Sequence, residues 1–404
     1  MRRIGIFSGA FDPVHLGHLR AAQACRRSMG LEQVLFVPFG RPLIRHTEAS
    51  AAHRLEMIKL AIAGQEGLAA SDLDLRRGPR YAVDTLRDFR QRNPDAALVY
   101  LVGADKLADI PFWKDAPALF ELCEFAAFAR AGYDAKSLCE ALRGHGARVT
   151  LVPLEPLTMS SGQIRAQLRL LSDAPGKLQP EVAEYIAANG LYQPDYERMV
   201  RQAVSVSRLN HSRGVRQVAA RLARIHGLPM QKAGIAGILH DCAKNMELAR
   251  LQAIARQARL GLDAQTLSSN ALLHGPVGAQ IARLRYHIQD THILNAIRYH
   301  TTARAGMDAL ELAIFVADAI EPSRAYPGLD QVRAQAERSL LQAALTSLTG
   351  TQQFVKTKGL VESPLSLQAI EDIRHRLAAS GMPEEVCPDE PDRAFARINH
   401  RKGI

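Results

Sequence analysis

Two textures follow one another along the chain. Up to about residue 195, short apolar runs alternate with stretches whose apolar residues recur every three to four positions. RRIGIF (2–7) leads into HLGHLRAAQACRRSMG, EQVLFVPFG (32–40) into AAHRLEMIKLAIAG, SDLDLRRG (71–78) into AVDTLRDFRQRNP, and ALVYLVGAD (97–105) into APALFEL. FAAFARAGY (125–133) and ARVTLVPLEP (147–156) read as two later strands. Continuous apolar runs suit strands buried on both faces, and three-to-four spacing suits amphipathic helices. Their alternation predicts an α/β doubly wound parallel sheet of the Rossmann-like kind.

From about residue 196 the strand-like runs stop. VRQVAARLARIHG, KAGIAGILHDCAKN, ELARLQAIARQARLG, PVGAQIARLRYH, THILNAIRYHTT and ALELAIFVADAIEP all carry the helical period. An all-α domain is therefore expected over 196–380, after an α/β domain over 1–195, with the junction at LYQPDY (191–196). A polar, proline-containing tail is expected over 381–404.

Composition narrows the class. The 404 residues are 47% hydrophobic and 23% charged, ordinary for two or three globular domains. No apolar run approaches the roughly 18 residues of a membrane span, and the four apolar residues after Arg3 are too few for a signal-peptide core. The five cysteines (25, 123, 139, 242 and 387) form no C-x-x-C. This implies a reducing, cytoplasmic setting without a disulfide framework. The net charge of +10 is carried mostly by the second half, which suits a polyanionic ligand such as a polyphosphate or nucleotide. Aromatic residues make up only 5%, which argues against nucleic acid bound on a stacking platform.

The first candidate chemistry is GAFDPVHLGH (9–18), at the end of the first strand. His15 and His18, three apart, could share a metal, but no third ligand lies at a familiar zinc spacing. The alternative is phosphate chemistry. A helix opening at the carboxyl edge of a parallel sheet points free N–H groups and the positive end of its dipole at an anion. Gly9 and Gly17 allow close approach, and imidazole donors there would stabilise charge developing on phosphate oxygens. A second stretch, MSSGQIRAQL (159–168), opens another helix with Ser160 and Ser161 as caps and Arg165 one turn in.

Together these two motifs resemble the nucleotidyltransferases of the H-x-G-H type. HRLEM (53–57), RRGPRYAVDTL (76–86), LVGADKL (101–107), Trp113, RAGY (130–133) and VAEYIAANGLY (182–192) resemble, within that superfamily, nicotinate-mononucleotide adenylyltransferase. The resemblance covers residues 2–193. It implies adenylyl transfer from ATP, accompanied by Mg²⁺, to nicotinate mononucleotide. His15 and His18 are then catalytic. Gly9, Phe11, Ser160, Ser161 and Arg165 hold ATP and its phosphates. Asp84, Thr85, Asp105 and Trp113 face the nicotinate nucleotide, with Trp113 stacked on the pyridine ring. Three positions depart from the family pattern. RPLIRH (41–46) stands for P-P-H-K/R, with Arg45 or His46 as the replacement base. Gly162 stands for a threonine, and Arg80-Tyr81-Ala82 stands for S-Y-T.

The helical half has its own ordered set: His211, His240-Asp241, His274, His300 and Asp318, each in or at the end of an apolar helical run. Burying so many titratable groups is costly unless they are paired or bound to metal. Four imidazoles and two carboxylates suit one or two first-row transition ions, with Asp241 able to bridge. Two such ions would activate water and clamp a phosphate for in-line attack. H…HD…H…H…D in a helical context is the pattern of HD-domain phosphohydrolases. KAGIAGILHDCAKN, LLHGPVGA, ILNAIRYHTT and FVADAIEPSR resemble the bacterial members that split diadenosine tetraphosphate symmetrically into two ADP, usually with iron. The resemblance adds Lys244, Arg298 and Arg324 as phosphate contacts and makes Asp241 catalytic. The expectation is a fused bifunctional enzyme. Its rival is an impaired first half beside a hydrolase or nucleotide sensor. A membrane partner is not expected, and a homo-oligomer is left open.

Overall fold

The computed structural model describes residues 2–40, 47–75, 80–169, 174, 176–359 and 362–381. RPLIRH (41–46), residues 76–79 and the tail from residue 382 lie outside them. Two compact units are present: Met1–Leu170 with Ala174–Ala183, and the chain from Glu184 onward. Among the described residues no helix is long and apolar enough to cross a membrane.

Among its described residues the first unit is built on six strands: β1 (Arg2–Gly9), β2 (Gln33–Pro38), β3 (Leu68–Ala70), β4 (Ala96–Gly103), β5 (Cys123–Arg130) and β6 (Val149–Leu157). They lie in the order β3-β2-β1-β4-β5-β6, and every neighbouring pair is parallel. Strand order therefore reverses between β1 and β4, which places a crevice at their carboxyl ends. The helices α1 (Leu16–Ser28), α2 (Ala51–Ile62), α3 (Ala82–Arg92), α4 (Ala116–Leu122), α5 (Ala135–Gly144) and α6 (Ser161–Arg169) supply the connections, with a 3₁₀ segment over Ala104–Phe112. Ile4, Ile6, Leu98, Tyr100, Phe125 and Val149 from four strands bury themselves against Val83, Leu86 and Phe89 of α3 and Cys139 and Leu142 of α5.

The third strand is not where the apolar pattern placed it. It is Leu68–Ala70, and residues 71–75 turn instead. Ser71 N donates to the Phe36 carbonyl as the last rung, and Leu75 N donates back to the Asp72 carbonyl. The alternation in SDLDL serves to bury Leu73 and Asp74 inside a turn. Acidic side chains in such a position compete for local donors, and this favours turns over strand.

Helix α7 (Pro180–Asn189) contains the division between the units, upstream of the expected junction at 191–196. Its second half belongs to the helical unit, where Glu184 pairs with Arg224. The Ala187 carbonyl passes so close to Gly234 that a side chain there would collide with it. Among the described residues eleven further helices follow: α8 (Tyr196–Arg201), α9 (Val206–Ile225), α10 (Met230–Leu239), α11 (Leu248–Gln257), α12 (Ala264–Ser268), α13 (Asn270–Arg285), α14 (Thr291–Tyr299), α15 (Ala309–Ile320), α16 (Leu329–Arg338), α17 (Leu340–Thr357) and α18 (Pro364–Ala379). Side-chain caps start several of them. Ser205 accepts from Arg208 N at α9 and Asp290 from Ile293 N at α14, while Asp308 and Glu311 form a reciprocal box at α15. The core joins Val215 and Leu222 of α9, Ile235 and Leu239 of α10, Ile293 and Ile297 of α14 and Ile314 of α15.

Candidate functional site

At the carboxyl edge of the sheet, four segments meet. The 10–15 loop follows β1, the Ala104–Phe112 segment follows β4, Arg130 ends β5, and residues 158–165 follow β6. Hydrogen bonds tie three of them together. Ser161 Oγ donates to the Pro13 carbonyl at 2.9 Å, Arg165 Nη1 to the Asp12 carbonyl at 2.6 Å, and Arg130 Nη1 to the Met159 carbonyl at 2.8 Å. Ser160 caps α6 by accepting from Gln163 N, and Arg165 also pairs with Glu48 at 2.7 Å.

His15 and His18 stack with ring centroids 3.7 Å apart. The His15 backbone N–H donates to His18 Nδ1 at 3.2 Å. An Nδ1 that accepts must be unprotonated in the neutral ring, so His18 carries its proton on Nε2 and presents an N–H donor. Both rings stay neutral. Burial, seconded by the charge of Arg130, pushes His15 down to about 3. Burial, His15 and Arg130 hold His18 well below the ordinary imidazole value. Phe11 packs edge-on against His18 and sits at a left-handed φ of 48°. A side chain on Gly9 would press on the Phe11 ring.

The residues expected on the nicotinate side are placed differently. Asp105 lies 3.8 Å from Arg130, at the edge. Trp113 is half-buried, edge-on to Tyr100 with centroids 6.0 Å apart. Asp84 caps α3 through Tyr81 N, and the Thr85 hydroxyl donates to the buried Asp74 carboxylate at 3.0 Å. Arg80, at a position of departure, is engaged by Asp88 and the Asp84 carbonyl. At the other departure, Gly162, an added Cβ would meet nothing within 4 Å. Arg45 and His46 lie outside the described residues. Arg130 opens the RAGY stretch but was assigned no role there, although a basic residue closing a strand at the ligand edge was a readable signal.

The second cluster inverts this polarity. His240 Nδ1 donates to the Gly237 carbonyl and His300 Nδ1 to the Ile297 carbonyl, both at 2.7 Å. His274 Nδ1 donates to the Asn270 carbonyl at 3.2 Å. His211 Nδ1 faces the Glu321 carboxylate at 3.1 Å. A carbonyl or carboxylate oxygen fixes the proton on Nδ1, which leaves the Nε2 lone pair free. The four Nε2 atoms converge, His211 to His240 at 3.2 Å and His274 to His300 at 3.1 Å. Between them lies the carboxylate of Asp241. Its Oδ2 is 3.4 Å from His240 Nε2 and 3.6 Å from His211 Nε2. Its Oδ1 is 3.1 Å from His274 Nε2 and 3.4 Å from His300 Nε2, yet accepts no hydrogen bond among the described residues. Asp318 Oδ1 reaches His211 Nε2 at 3.1 Å.

Lone pairs and carboxylate oxygens packed this closely, all but Asp318 buried, fit a cation. Among the described residues two groups have their ligand atoms within 4.8 Å of one another: His211–His240–Asp318 and His240–Asp241–His300. Burial opposes the Asp241 charge, but the facing histidines hold its carboxyl well below the usual range. Burial also opposes charge on His211, yet the Asp318 and Glu321 carboxylates raise it, so a proton and a metal ion compete for the same Nε2 lone pair.

Cations line the rim. Arg208 Nη1 donates to Asp241 Oδ2 at 2.7 Å, Arg324 pairs with Asp318, and Lys244 Nζ lies 3.4 Å from His274 Nε2. Arg298 turns to the Leu260 carbonyl and the Tyr299 ring. Arg208 and Glu321 were missed in the sequence. Arg208 precedes His211 by three residues, a spacing that shares a helix face. Cys242 points into the core, its thiol toward the Gly278 carbonyl.

Fold and sites thus define a nucleotidyltransferase-type α/β unit followed by a helical metal-site unit. The family model described as cytidylyltransferase-like matches residues 6–167, and the HD domain model matches residues 208–323. A Bordetella petrii protein, "Probable nicotinate-nucleotide adenylyltransferase", is 38% identical over 198 residues, 48% of this chain and 100% of that one. The chain belongs to the nicotinate-nucleotide adenylyltransferase family, with an HD domain fused behind. A Mycoplasma genitalium protein, "Probable nicotinate-nucleotide adenylyltransferase/Ap4A hydrolase", is 29% identical over 364 residues, 88% of this chain and 99% of that one. A solved Clostridium acetobutylicum structure, titled as a predicted HD superfamily hydrolase involved in NAD metabolism, is 34% identical. It covers 45% of this chain and 98% of its own, at a TM-score of 0.44.

Proposed function

We propose that the chain is a bifunctional nucleotide enzyme. Its α/β unit transfers the adenylyl group of ATP to nicotinate mononucleotide, giving nicotinate adenine dinucleotide and pyrophosphate. Its HD unit hydrolyses diadenosine tetraphosphate symmetrically to two ADP. The observation that carries this reading is the opposite polarity of the two histidine clusters: a neutral N–H donor at a helix start in one, converging lone pairs in the other.

In the first site, the acceptor phosphate attacks the α-phosphorus of ATP and pyrophosphate leaves. His18 donates to phosphate oxygens as their charge grows, with His15 stacked behind it. Gly9, Phe11, Ser160, Ser161 and Arg165 hold the phosphates that Mg²⁺ accompanies. Asp84, Thr85, Asp105 and Trp113 form the nicotinate side, where the Trp113 face takes the pyridine ring. Preorganised donors of this kind act without a covalent intermediate.

In the second site, His211, His240, Asp241, His274, His300 and Asp318 would hold two metal ions. Iron is the metal we assign. When bound, the ions activate water and neutralise phosphate charge. Lys244, Arg298 and Arg324 contact the polyphosphate, and Glu321 fixes the tautomer of His211. Both reactions belong to the cytoplasm.

Product analysis tests both halves. With ATP and nicotinate mononucleotide the dinucleotide should form, with a higher kcat/KM than for the nicotinamide analogue. Equal values would reject that preference. With diadenosine tetraphosphate alone, two ADP should appear. ATP plus AMP, or activity that survives thorough chelation, would reject the symmetrical metal-dependent hydrolase.

A further inference from the structure

HRLEM (53–57) contributes to family likeness, but none of its side chains has a role in the reaction as described. Arg54 is its most unusual member. It lies on α2, is completely buried, and donates from all three of its nitrogens. Nη1 donates to the Ala10 carbonyl at 2.7 Å. Nη2 donates to the Phe39 carbonyl at 2.6 Å and the Gly40 carbonyl at 3.4 Å, and Nε to the Ala49 carbonyl at 3.3 Å. One guanidinium thus joins the loop after β1, the chain after β2 and the approach to α2.

The Ala10 contact bears on catalysis through peptide geometry. In a planar trans peptide a carbonyl and the following N–H point in opposite directions. Drawing the Ala10 carbonyl toward Arg54 aims the Phe11 N–H away from it, and drawing in the Phe39 carbonyl does the same for the Gly40 N–H. Phe11 is also one of the few non-glycine residues at positive φ, a conformation that persists only where surroundings enforce it. The same loop is gripped from a second side, because the Asp12 carboxylate accepts from Glu48 N at 2.8 Å and Ala49 N at 3.1 Å. Arg54 holds the carbonyl of Ala49, so the two contacts brace one another across the start of α2.

We propose that Arg54 is a positioning residue for ATP: through the Ala10 carbonyl it sets the backbone of the loop that meets the triphosphate. The assignment rests on the adenylyl-transfer reading. A lysine keeps the charge but presents a compact ammonium in place of a planar fork, so it cannot serve three carbonyl directions together.

The test uses full-length Arg54→Lys and Arg54→Met, with adenylyl transfer measured against both substrates. In each folded variant the KM for ATP should rise about tenfold or more, while the KM for nicotinate mononucleotide stays within twofold. Hydrolysis of diadenosine tetraphosphate should be unchanged. A merely structural role would lower the amount of active enzyme and move neither Michaelis constant. If Arg54→Met fails to fold, Arg54→Lys, which keeps charge and most of the volume, supplies the measurement. Unchanged ATP KM in a folded variant overturns the role of Arg54 alone. A wild-type enzyme that transfers no adenylyl group overturns the underlying reading with it.

Discussion

His18 and His240 are the same residue type near the start and end of a helix, yet their surroundings make them opposites. His18 accepts a backbone N–H at Nδ1 and so offers a proton outward. His240 gives its Nδ1 proton to a backbone carbonyl and offers a lone pair inward. Each choice is made by the backbone group on the far side of the ring. The charged neighbours follow suit, with Arg130 beside the donor pair and Asp241 and Asp318 beside the lone pairs. An anion is suited to the first arrangement and a cation to the second. The tautomer, set by one hydrogen bond, separates a phosphate site from a metal site better than a count of histidines does.

Four experiments would break or sharpen that contrast. The largest effect is expected for Asp241→Ala, which removes the carboxylate that all four Nε2 atoms face. Bound metal and diadenosine tetraphosphate hydrolysis should be lost together, with adenylyl transfer within twofold of wild type. Metal analysis and chromatography of products check this, and retained hydrolysis would break the comparison at its cationic end.

Next comes His18→Ala. Loss of one preorganised donor should slow adenylyl transfer about a hundredfold to a thousandfold and spare hydrolysis. A rate above half of wild type would remove the donor role.

Glu321→Ala should weaken metal binding about tenfold to a hundredfold by freeing the His211 tautomer. Glu321→Gln, which keeps an accepting oxygen, should restore most of it. Titration with the metal reads both variants, and equal affinities in all three proteins would show that the tautomer is set elsewhere.

The last effect is on stability and shows only as the pH falls. His15 titrates at about 3 when folded, below the ordinary value near 6.5. The unfolded chain therefore binds a proton that the folded unit refuses. The contribution of His15 to stability is complete above about pH 6.5 and falls by up to about 1.4 kcal/mol per pH unit as pH drops from there toward 3. Trp113, the one tryptophan of the chain, reports the unfolding of this unit in urea. The acid-dependent fall in the midpoint should be shallower in His15→Gln. An identical slope in variant and wild type would show that other groups carry it.

Periodicity alone was enough for much of the molecule. Apolar runs such as IGIF and LVYLV are buried on both faces in a parallel sheet, and their hydrophobicity is continuous for that reason. The period of the helical half is similarly the imprint of a shared core. The set His211, His240, Asp241, His274, His300 and Asp318 was readable because each member stands in an apolar context that makes it conspicuous. Local alternation misled at SDLDL, where a turn and a strand have the same pattern and a partner eleven residues away, Thr85, takes up Asp74. What the sequence could not decide was every contact between distant segments. That Arg130 reaches the residue before Ser160, that Arg208 meets Asp241, that Glu321 orients His211 and that Arg54 draws in the Ala10 carbonyl all depend on how strands and helices are brought together. Hydrophobic burial sets the elements by composition and period, which a linear chain displays. Tautomers and the aim of backbone groups are set by single directional hydrogen bonds across the fold, and these come into being only with the tertiary structure.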